Sequence, residues 1–298
     1  MNGTPEIAKI FSPAKINFFF AVTGLRDDGF HDVVSINLPL NFGDEISVKL
    51  NDRGKDELIC QNDYINPVNN SILTAIKLFK EESKIEDNFK ITLKKKIPIS
   101  AGFGGGSSNA GTILKTLNKI YNNVLNISMI EKICTKIGAD CSFFLSPKPC
   151  ITTGIGDICH EISDKFQSSL TQYKMFIIKP NFGINTSSAY KELRDNFQKL
   201  YISEQSANEK MGNLIEAVIR GDEKLPLYNT FYDMLSLRNN NFIKLKTSMD
   251  DIHSNVMLTG SGSGFFGICK SSRVLKYSKS VAKLIFGSDI FWREVSVL

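Results

Sequence analysis

Apolar residues follow two periodicities along this chain, and together they predict a mixture of strands and helices. Short apolar or alternating segments bounded by turn residues predict strands near 8–11, 16–23, 33–40, 45–50, 56–60, 89–94, 150–153 and 174–179. Apolar residues at helical spacing predict helices near 71–83, 128–137 and 208–220, and a strand, loop and helix between 256 and 286. Because strands and helices do not alternate strictly, the pattern favours an α+β fold over a doubly wound parallel sheet.

The most informative segment is a glycine-rich loop that leads into a helix. Residues 98–109 read PISAGFGGGSSN, and from Ala110 onward the apolar residues fall on one helical face. Glycines let successive N–H groups converge on an anion, and the positive end of a helix favours negative charge. Ser107 or Ser108 is the expected N-cap. The loop lacks the lysine of a Walker A sequence and the third glycine of a dinucleotide fingerprint. It therefore predicts a phosphate-binding loop of another type.

Length and charge limit the organisation and the partners. With 298 residues the chain is long enough for two ordinary domains, and we expect a boundary near 165–172, which gives domains 1–168 and 169–298. The net charge is +5, with lysines scattered among acidic residues. This mild field does not require a nucleic acid and suits a polyanionic small molecule.

Cysteine usage and the start of the chain bear on location. The six cysteines form no CxxC pair and have no histidine at metal-ligand spacing, which favours free thiols in a reducing compartment. The richest early apolar run, INFFFAV at 16–22, is far too short to span a membrane. We therefore expect a cytoplasmic protein that does not associate with a membrane.

Several segments, in order from residue 12 to residue 267, resemble the motifs of the GHMP kinases, a family named for galactokinase, homoserine kinase, mevalonate kinase and phosphomevalonate kinase. They read SPAKIN at 12–17, GLRDDGFHD at 24–32, PISAGFGGGSS at 98–108, GADCSFF at 138–144 and LTGSGSGFFG at 258–267. The first two are similar to the branch of the family that acts on a diphosphocytidyl-linked methylerythritol. Each motif alone is moderately specific, whereas the whole set in this order is a strong indication of the resemblance.

The resemblance implies a fold and a reaction. The fold would have two domains, an N-terminal mixed sheet with helices and a smaller C-terminal α+β domain. The reaction would be ATP-dependent phosphorylation of the 2-hydroxyl of 4-diphosphocytidyl-2-C-methyl-D-erythritol, in the non-mevalonate isoprenoid pathway. Mg²⁺ would be bound mainly through the ATP phosphates, and its ligands on the chain are not assigned. We expect a monomer or weak homodimer without a nucleic-acid partner.

The resemblance also implies roles for particular residues. Lys15 and Asp140 would flank the substrate hydroxyl that receives the phosphate, where a carboxylate orients or deprotonates the hydroxyl and a cation offsets charge. The nucleotide would be bound by Asn70, Lys95, Gly102, Gly104, Gly105, Gly106, Ser107 and Ser108. Around the cytidine, Phe30 and Tyr190 would stack on the base, His31 would bond to its edge, and Asn17 and Thr186 would supply polar groups.

Two alternatives stay open at this point. The chain could be another GHMP kinase of the homoserine or mevalonate type, which needs no pyrimidine pocket. It could also be a non-catalytic relative that senses nucleotides or binds nucleic acid, although the presence of both Lys15 and Asp140 argues against this. One departure lies in the second half, where NTFY at 229–232 replaces the NDFE-like string of many members.

Overall fold

The computed structural model describes residues 6–60 and 70–298. The strands are β1 (Glu6–Leu25), β2 (His31–Leu50), β3 (Glu57–Cys60), β4 (Phe89–Lys94), β5 (Cys150–Thr153), β6 (Ile158–Glu161), β7 (Lys174–Lys179), β8 (Ser254–Leu258), β9 (Phe265–Cys269) and β10 (Phe291–Val295). The α-helices are α1 (Ser71–Ser83), α2 (Gly105–Ile120), α3 (Ile127–Ile137), α4 (Asp164–Ser169), α5 (Thr186–Asn196), α6 (Glu204–Arg220), α7 (Thr230–Ser236), α8 (Asn240–Asp250) and α9 (Ser272–Phe286). Short 3₁₀ helices cover Ala139–Leu145, Leu170–Gln172 and Gln198–Leu200. The α+β prediction is confirmed.

Contacts divide the chain into two compact units, and each is described by itself. The first unit contains Met1–Ala14, Phe42–Ile97 and Gly104–Pro147, and the second contains Lys15–Asn41, Pro98–Phe103 and Lys148–Leu298. Each unit is assembled from separate stretches of sequence. The long strands β1 and β2 are each divided, with one part in the first unit and the other part in the second. The expected boundary between residues 168 and 169 stays a prediction.

The first unit packs helices on a small mixed sheet. The second half of β2 pairs with β4 in antiparallel register from Glu45 opposite Lys94 to Leu50 opposite Phe89, and β4 pairs with β3 in parallel. Helices α1, α2 and α3 bury their apolar faces against this sheet and against each other. The predicted helix at 71–83 is confirmed, and Asn70 caps it by accepting a hydrogen bond from the Ile72 N–H at 2.9 Å.

The second unit contains an antiparallel four-stranded sheet in the order β10, β7, β9, β8. Its core is rich in phenylalanine, and Phe176, Phe265 and Phe266 are fully buried. The first half of β2 pairs with β5, and β5 pairs with β6. Among the described residues, no helix combines the length and the apolar character that crossing a bilayer requires.

Strand boundaries differ from the prediction at Gly43. The sequence predicts a break between strands at 33–40 and 45–50, whereas β2 runs through both. A Cβ at Gly43 would lie 2.2 Å from the Ser12 carbonyl oxygen, so the glycine permits a close approach to β1 instead of making a turn. The predicted break between these two strands is therefore wrong.

Candidate active site

The glycine-rich loop forms the start of α2, one turn earlier than expected. The helix begins at Gly105, and Gly104 is the N-cap with φ of 70° and no side-chain capping bond. The expectation that Ser107 or Ser108 caps the helix is wrong, because both lie within its first turn. Ser108 donates its backbone N–H to the Gly104 carbonyl at 2.8 Å, whereas the N–H groups before it precede the first intrahelical bond. These N–H groups form the anion-attracting end of the helix.

A buried ion pair between Asp44 and Lys95 lies next to this first turn of α2. Asp44 is fully buried, and one of its carboxylate oxygens accepts the backbone N–H groups of Lys96 and Ile97 at 2.7 and 2.8 Å. The other oxygen accepts the Lys95 ammonium and the Asn109 amide. Lys95 lies close to the loop, since a Cβ on Gly105 would come within 2.7 Å of its Nζ atom. Asp44 was missed from the sequence because a lone acidic residue in a strand carries no motif.

The two serines of the loop have different surroundings. Ser108 is fully buried, and its hydroxyl donates to the Pro13 carbonyl at 2.6 Å and lies 2.7 Å from the Ser12 hydroxyl. Ser107 is only half-buried, and its Oγ lies 3.7 Å from the position of a Cβ on Gly138. Ser107 is therefore the serine that faces the GADCSFF segment.

Asp140 lies in that segment, on the 3₁₀ helix that follows α3. Gly138 ends α3, and the N–H of Cys141 returns to its carbonyl at 2.9 Å. Gly111 of α2 lets this turn come close, because a Cβ there would be 2.7 Å from the Cys141 carbonyl oxygen. The half-buried Asp140 is thus held within the same unit as the N-terminus of α2.

Asn70 belongs to the same neighbourhood. Its side chain caps α1, and the next residue, Ser71, donates its hydroxyl to the Gly106 carbonyl at 2.8 Å. The N-terminus of α1 therefore contacts the first turn of α2. In the first unit the structure brings together Asn70, Lys95, Gly104, Gly105, Gly106, Ser107 and Ser108.

In the second unit, Lys15 is the centre of a buried polar network. Lys15 is only 3% exposed, and its ammonium donates a hydrogen bond to the side-chain oxygen of Asn17 at 2.7 Å. The Asn17 amide donates to Ser35 at 2.9 Å and to Asn37 at 2.7 Å, and its backbone N–H donates to Thr259 at 2.9 Å. These bonds fix the Asn17 side chain with its oxygen toward the ammonium.

Gly102 is held by the LTGSGSGFFG segment of the same unit. It has φ of 76°, and a Cβ there would lie 2.2 Å from the Thr259 carbonyl oxygen. The Gly264 N–H donates to the Ala101 carbonyl at 3.0 Å. The Thr186 hydroxyl lies 3.0 Å from the Ser261 hydroxyl, which attaches the start of α5 to this segment. Ser35 and Asn37 were missed, because isolated polar residues in an apolar strand give no spacing signal. Thr259 lies in the LTGSGSGFFG motif after β8, but the motif gave this residue no role of its own.

The expected pyrimidine residues also lie in the second unit. The rings of His31 and Tyr190 are 4.9 Å apart between centroids, and Tyr190 packs edge-on against Phe231 at 4.8 Å. His31 is buried, and its Nε2 atom is 2.9 Å from the Tyr201 hydroxyl. Burial lowers the pKa of His31, with a smaller contribution from Arg194. Phe30 is 57% exposed, so its ring is available to solvent beside this cluster. Tyr201 was missed because it belongs to no motif.

Mg²⁺ is the ion that the motif resemblance implies together with ATP. Within residues 6–60 and 70–298, no group of three or more His, Cys, Asp or Glu side chains could hold a metal ion. The chemistry beside α2 nevertheless suits an ion bound mainly through phosphate oxygens and water, because Ser107 and Asp140 offer oxygen donors there.

Known proteins share the fold of this chain and part of its sequence. Residues 70–147 match the family model described as the GHMP kinases N terminal domain. A solved 4-(cytidine 5'-diphospho)-2C-methyl-D-erythritol kinase has the same fold, with a TM-score of 0.76 at 21% identity over 97% of this chain and 99% of that chain. The solved structure shows the fold, and the family model places residues 70–147 in the class of GHMP kinases.

Curated relatives narrow the class to one family. The 4-diphosphocytidyl-2-C-methyl-D-erythritol kinase of Fusobacterium nucleatum is 34% identical, with 87% of each chain covered. The enzyme of the same name from Buchnera aphidicola is 33% identical, over 86% of this chain and 82% of that protein. The chain belongs to the family of 4-diphosphocytidyl-2-C-methyl-D-erythritol kinases.

Proposed function

We propose that this chain transfers the γ-phosphoryl group of ATP to the 2-hydroxyl of 4-diphosphocytidyl-2-C-methyl-D-erythritol. The observation that carries the proposal is the His31–Tyr190 cluster in a chain of this family, because a kinase for homoserine or mevalonate has no base to recognise. The pathway is non-mevalonate isoprenoid synthesis. The cytoplasm is the proposed location, supported by six cysteines, all among the described residues, that form no disulfide.

Nucleotide binding is assigned to the first unit. The N–H groups at the start of α2 would donate hydrogen bonds to the phosphate oxygens. Gly105 and Gly106 have no side chains, which lets the phosphates come close to the backbone. Lys95 adds positive charge beside Gly105, although its ammonium also bonds to Asp44 and Asn109. Mg²⁺, when bound, neutralises part of the phosphate charge.

The chemical step is assigned to Lys15 and Asp140. The substrate hydroxyl oxygen forms a bond to the γ-phosphorus while the bond from that phosphorus to the β,γ-bridging oxygen breaks, and ADP leaves. Asp140 orients the hydroxyl and accepts its proton, and the Lys15 ammonium offsets the negative charge that develops. The bond from Lys15 to Asn17 fixes the position of the ammonium before the substrate binds.

The proposal is tested by coupled measurement of ADP release with three acceptors. Turnover should require the diphosphocytidyl substrate, with mevalonate and homoserine giving background rates. Asp140→Asn preserves the shape of the side chain and removes the carboxylate charge, so kcat should fall about 10²–10⁴-fold with KM little changed. Preference for mevalonate or homoserine would overturn the substrate assignment, and a near-normal kcat in Asp140→Asn would overturn the role of this residue.

The size of the assembly and its partners are part of the proposal. The proposed state is a monomer or weak homodimer. The proposed absence of a nucleic-acid partner fits a net charge of only +5, with the lysines spread throughout the sequence. Light scattering at assay concentrations and a binding test with oligonucleotides check these two points. Tight oligonucleotide binding with a steep salt dependence would instead favour the non-catalytic alternative.

A further inference from the structure

Tyr201 lies beside the cluster of His31 and Tyr190, and it belongs to none of the motifs. It follows the 3₁₀ helix Gln198–Leu200, and its N–H donates to the Gln198 carbonyl at 2.9 Å. The next residue, Ile202, donates its N–H to the Val22 carbonyl at 3.3 Å, which attaches this stretch to β1. The phenol is thereby carried on backbone that is fixed on both sides.

The contact between Tyr201 and His31 has a defined geometry. The Tyr201 hydroxyl is 2.9 Å from His31 Nε2, and the two rings meet at 88° with centroids 5.8 Å apart. Tyr190 covers another side of the imidazole. With two aromatic neighbours and one hydrogen bond, the imidazole has little freedom to rotate.

The imidazole is held in its neutral form near pH 7. Burial is the largest cause that lowers the pKa of His31, and the charge of Arg194 adds to it, whereas Asp32 acts in the opposite direction. A neutral imidazole has one nitrogen that donates and one that accepts. The role that Nε2 takes toward the Tyr201 hydroxyl therefore determines the role of Nδ1.

We propose that Tyr201 is a positioning residue for base recognition, whose hydroxyl holds His31 in one orientation and one tautomer so that Nδ1 presents a single type of hydrogen-bonding group to the pyrimidine edge. This inference rests on the proposed function, because it assumes that His31 faces the base. Cytosine and uracil differ at the 4-position, where one carries an amino donor and the other a carbonyl acceptor. A fixed tautomer would therefore contribute to the preference between the two bases.

The test uses Tyr201→Phe, which keeps the ring and removes the hydroxyl. CMP and UMP are the probes, and their dissociation constants are measured by calorimetry. Losing one hydrogen bond should weaken CMP binding about 2–10-fold and reduce the preference for CMP over UMP by a similar factor. Affinity for ATP should not change. Tyr277→Phe is the matched control, because this half-exposed tyrosine on α9 undergoes the same chemical change far along the chain.

Nitrogen NMR gives the readout that a purely structural role would not change. The chain has three histidines, so the His31 signals can be assigned against His160 and His253. The parent protein should show one dominant His31 tautomer, and Tyr201→Phe should show a mixture. In a His31→Asn background, Tyr201→Phe should have little further effect on CMP binding, since the tyrosine acts through the histidine.

The outcomes separate this inference from the proposed function. If the parent binds CMP no better than UMP, the pyrimidine pocket itself is misassigned and both proposals fail. If the parent prefers CMP but Tyr201→Phe keeps the same preference and the same single tautomer, only the role of Tyr201 is overturned. Weaker CMP binding with an unchanged preference and an unchanged tautomer would also overturn it, because the hydroxyl would then contribute to affinity without setting the hydrogen-bonding group at Nδ1.

Discussion

Ser107 and Ser108 are adjacent in one motif, yet their side chains meet different surroundings. The buried Ser108 hydroxyl bonds to Pro13 and Ser12, whereas Ser107 faces the turn at Gly138. The motif predicts which residue types surround a phosphate, but it does not predict which hydroxyl is used inside the protein. That depends on the register of α2 against β1, which arises from tertiary packing. We therefore assign Ser108 a support role through Pro13 within the proposed nucleotide site.

His31 gives a prediction for stability against pH. Burial lowers its pKa in the folded protein below the ordinary value of 6.5, so the unfolded chain takes up a proton first as pH falls. The contribution of a neutral His31 is therefore fully present above about pH 6.5 and is lost as pH falls from there through the folded-state pKa. In urea titrations at pH 7.5, 6.5 and 5.5, the parent should lose more stability than His31→Asn. An identical pH dependence in the two proteins would contradict this assignment of charge.

At the scale of elements, periodicity predicted correctly those features whose cause lies within a short stretch of sequence. The helix at 71–83 and its cap at Asn70 are confirmed, because both the apolar face and the cap lie within one short stretch. The break at Gly43 was wrong because the reason for that glycine is Ser12, 31 positions away in a neighbouring strand. The helix start at Gly105 was placed too late for a related reason. Glycine is a poor helix former on its own, and here the packing of α2 overrides its propensity.

Gly111 of α2 allows a test of how close packing positions Asp140. A Cβ at this position would lie 2.7 Å from the Cys141 carbonyl oxygen and 3.0 Å from the Phe144 Cβ. Gly111→Ala should therefore push the 3₁₀ helix away, lower the free energy of unfolding by about 1–3 kcal/mol and reduce kcat. Urea titration and the ADP-release assay measure the two effects.

Gly212 in α6 is the control for this substitution. A Cβ at Gly212 has nothing within 4 Å, so Gly212→Ala should raise stability by about 0.5–1 kcal/mol through helix propensity alone and leave kcat unchanged. If Gly111→Ala behaved in the same way as Gly212→Ala, the close contact between α2 and the 3₁₀ helix would carry no functional weight.

For the molecule as a whole, the ordered motifs predicted the class and the family, and both are confirmed by the comparisons. The residue assignments stay proposals. The motifs nominate these residues, but they do not reveal the polar residues that hold them, such as Asp44 beside Lys95 and Ser35 beside Asn17. Both supporting residues lie in β2, outside the motifs. They become visible only when the fold places them together.

Ligand-linked stability tests the two proposed binding functions in one experiment. A ligand that binds only the folded protein raises its unfolding temperature, and the rise grows with the ratio of free ligand concentration to Kd. Gly105→Val places a branched side chain against Lys95 and Ile97 at the start of α2, so it should lose protection by ATP and keep protection by CMP. Tyr190→Ala removes a ring beside His31, and it should weaken CMP protection, with affinity about 10-fold lower or more, while ATP protection stays.

The crossed pattern carries the argument, because a general loss of stability would reduce protection by both ligands. Each variant is therefore its own folding control through the ligand that it still binds. Loss of both responses in Tyr190→Ala would mean that this ring serves the core through its contact with Phe231 and not the base. Full ATP protection in a folded Gly105→Val protein would mean that the phosphates bind away from the start of α2, and the nucleotide site would have to be sought elsewhere.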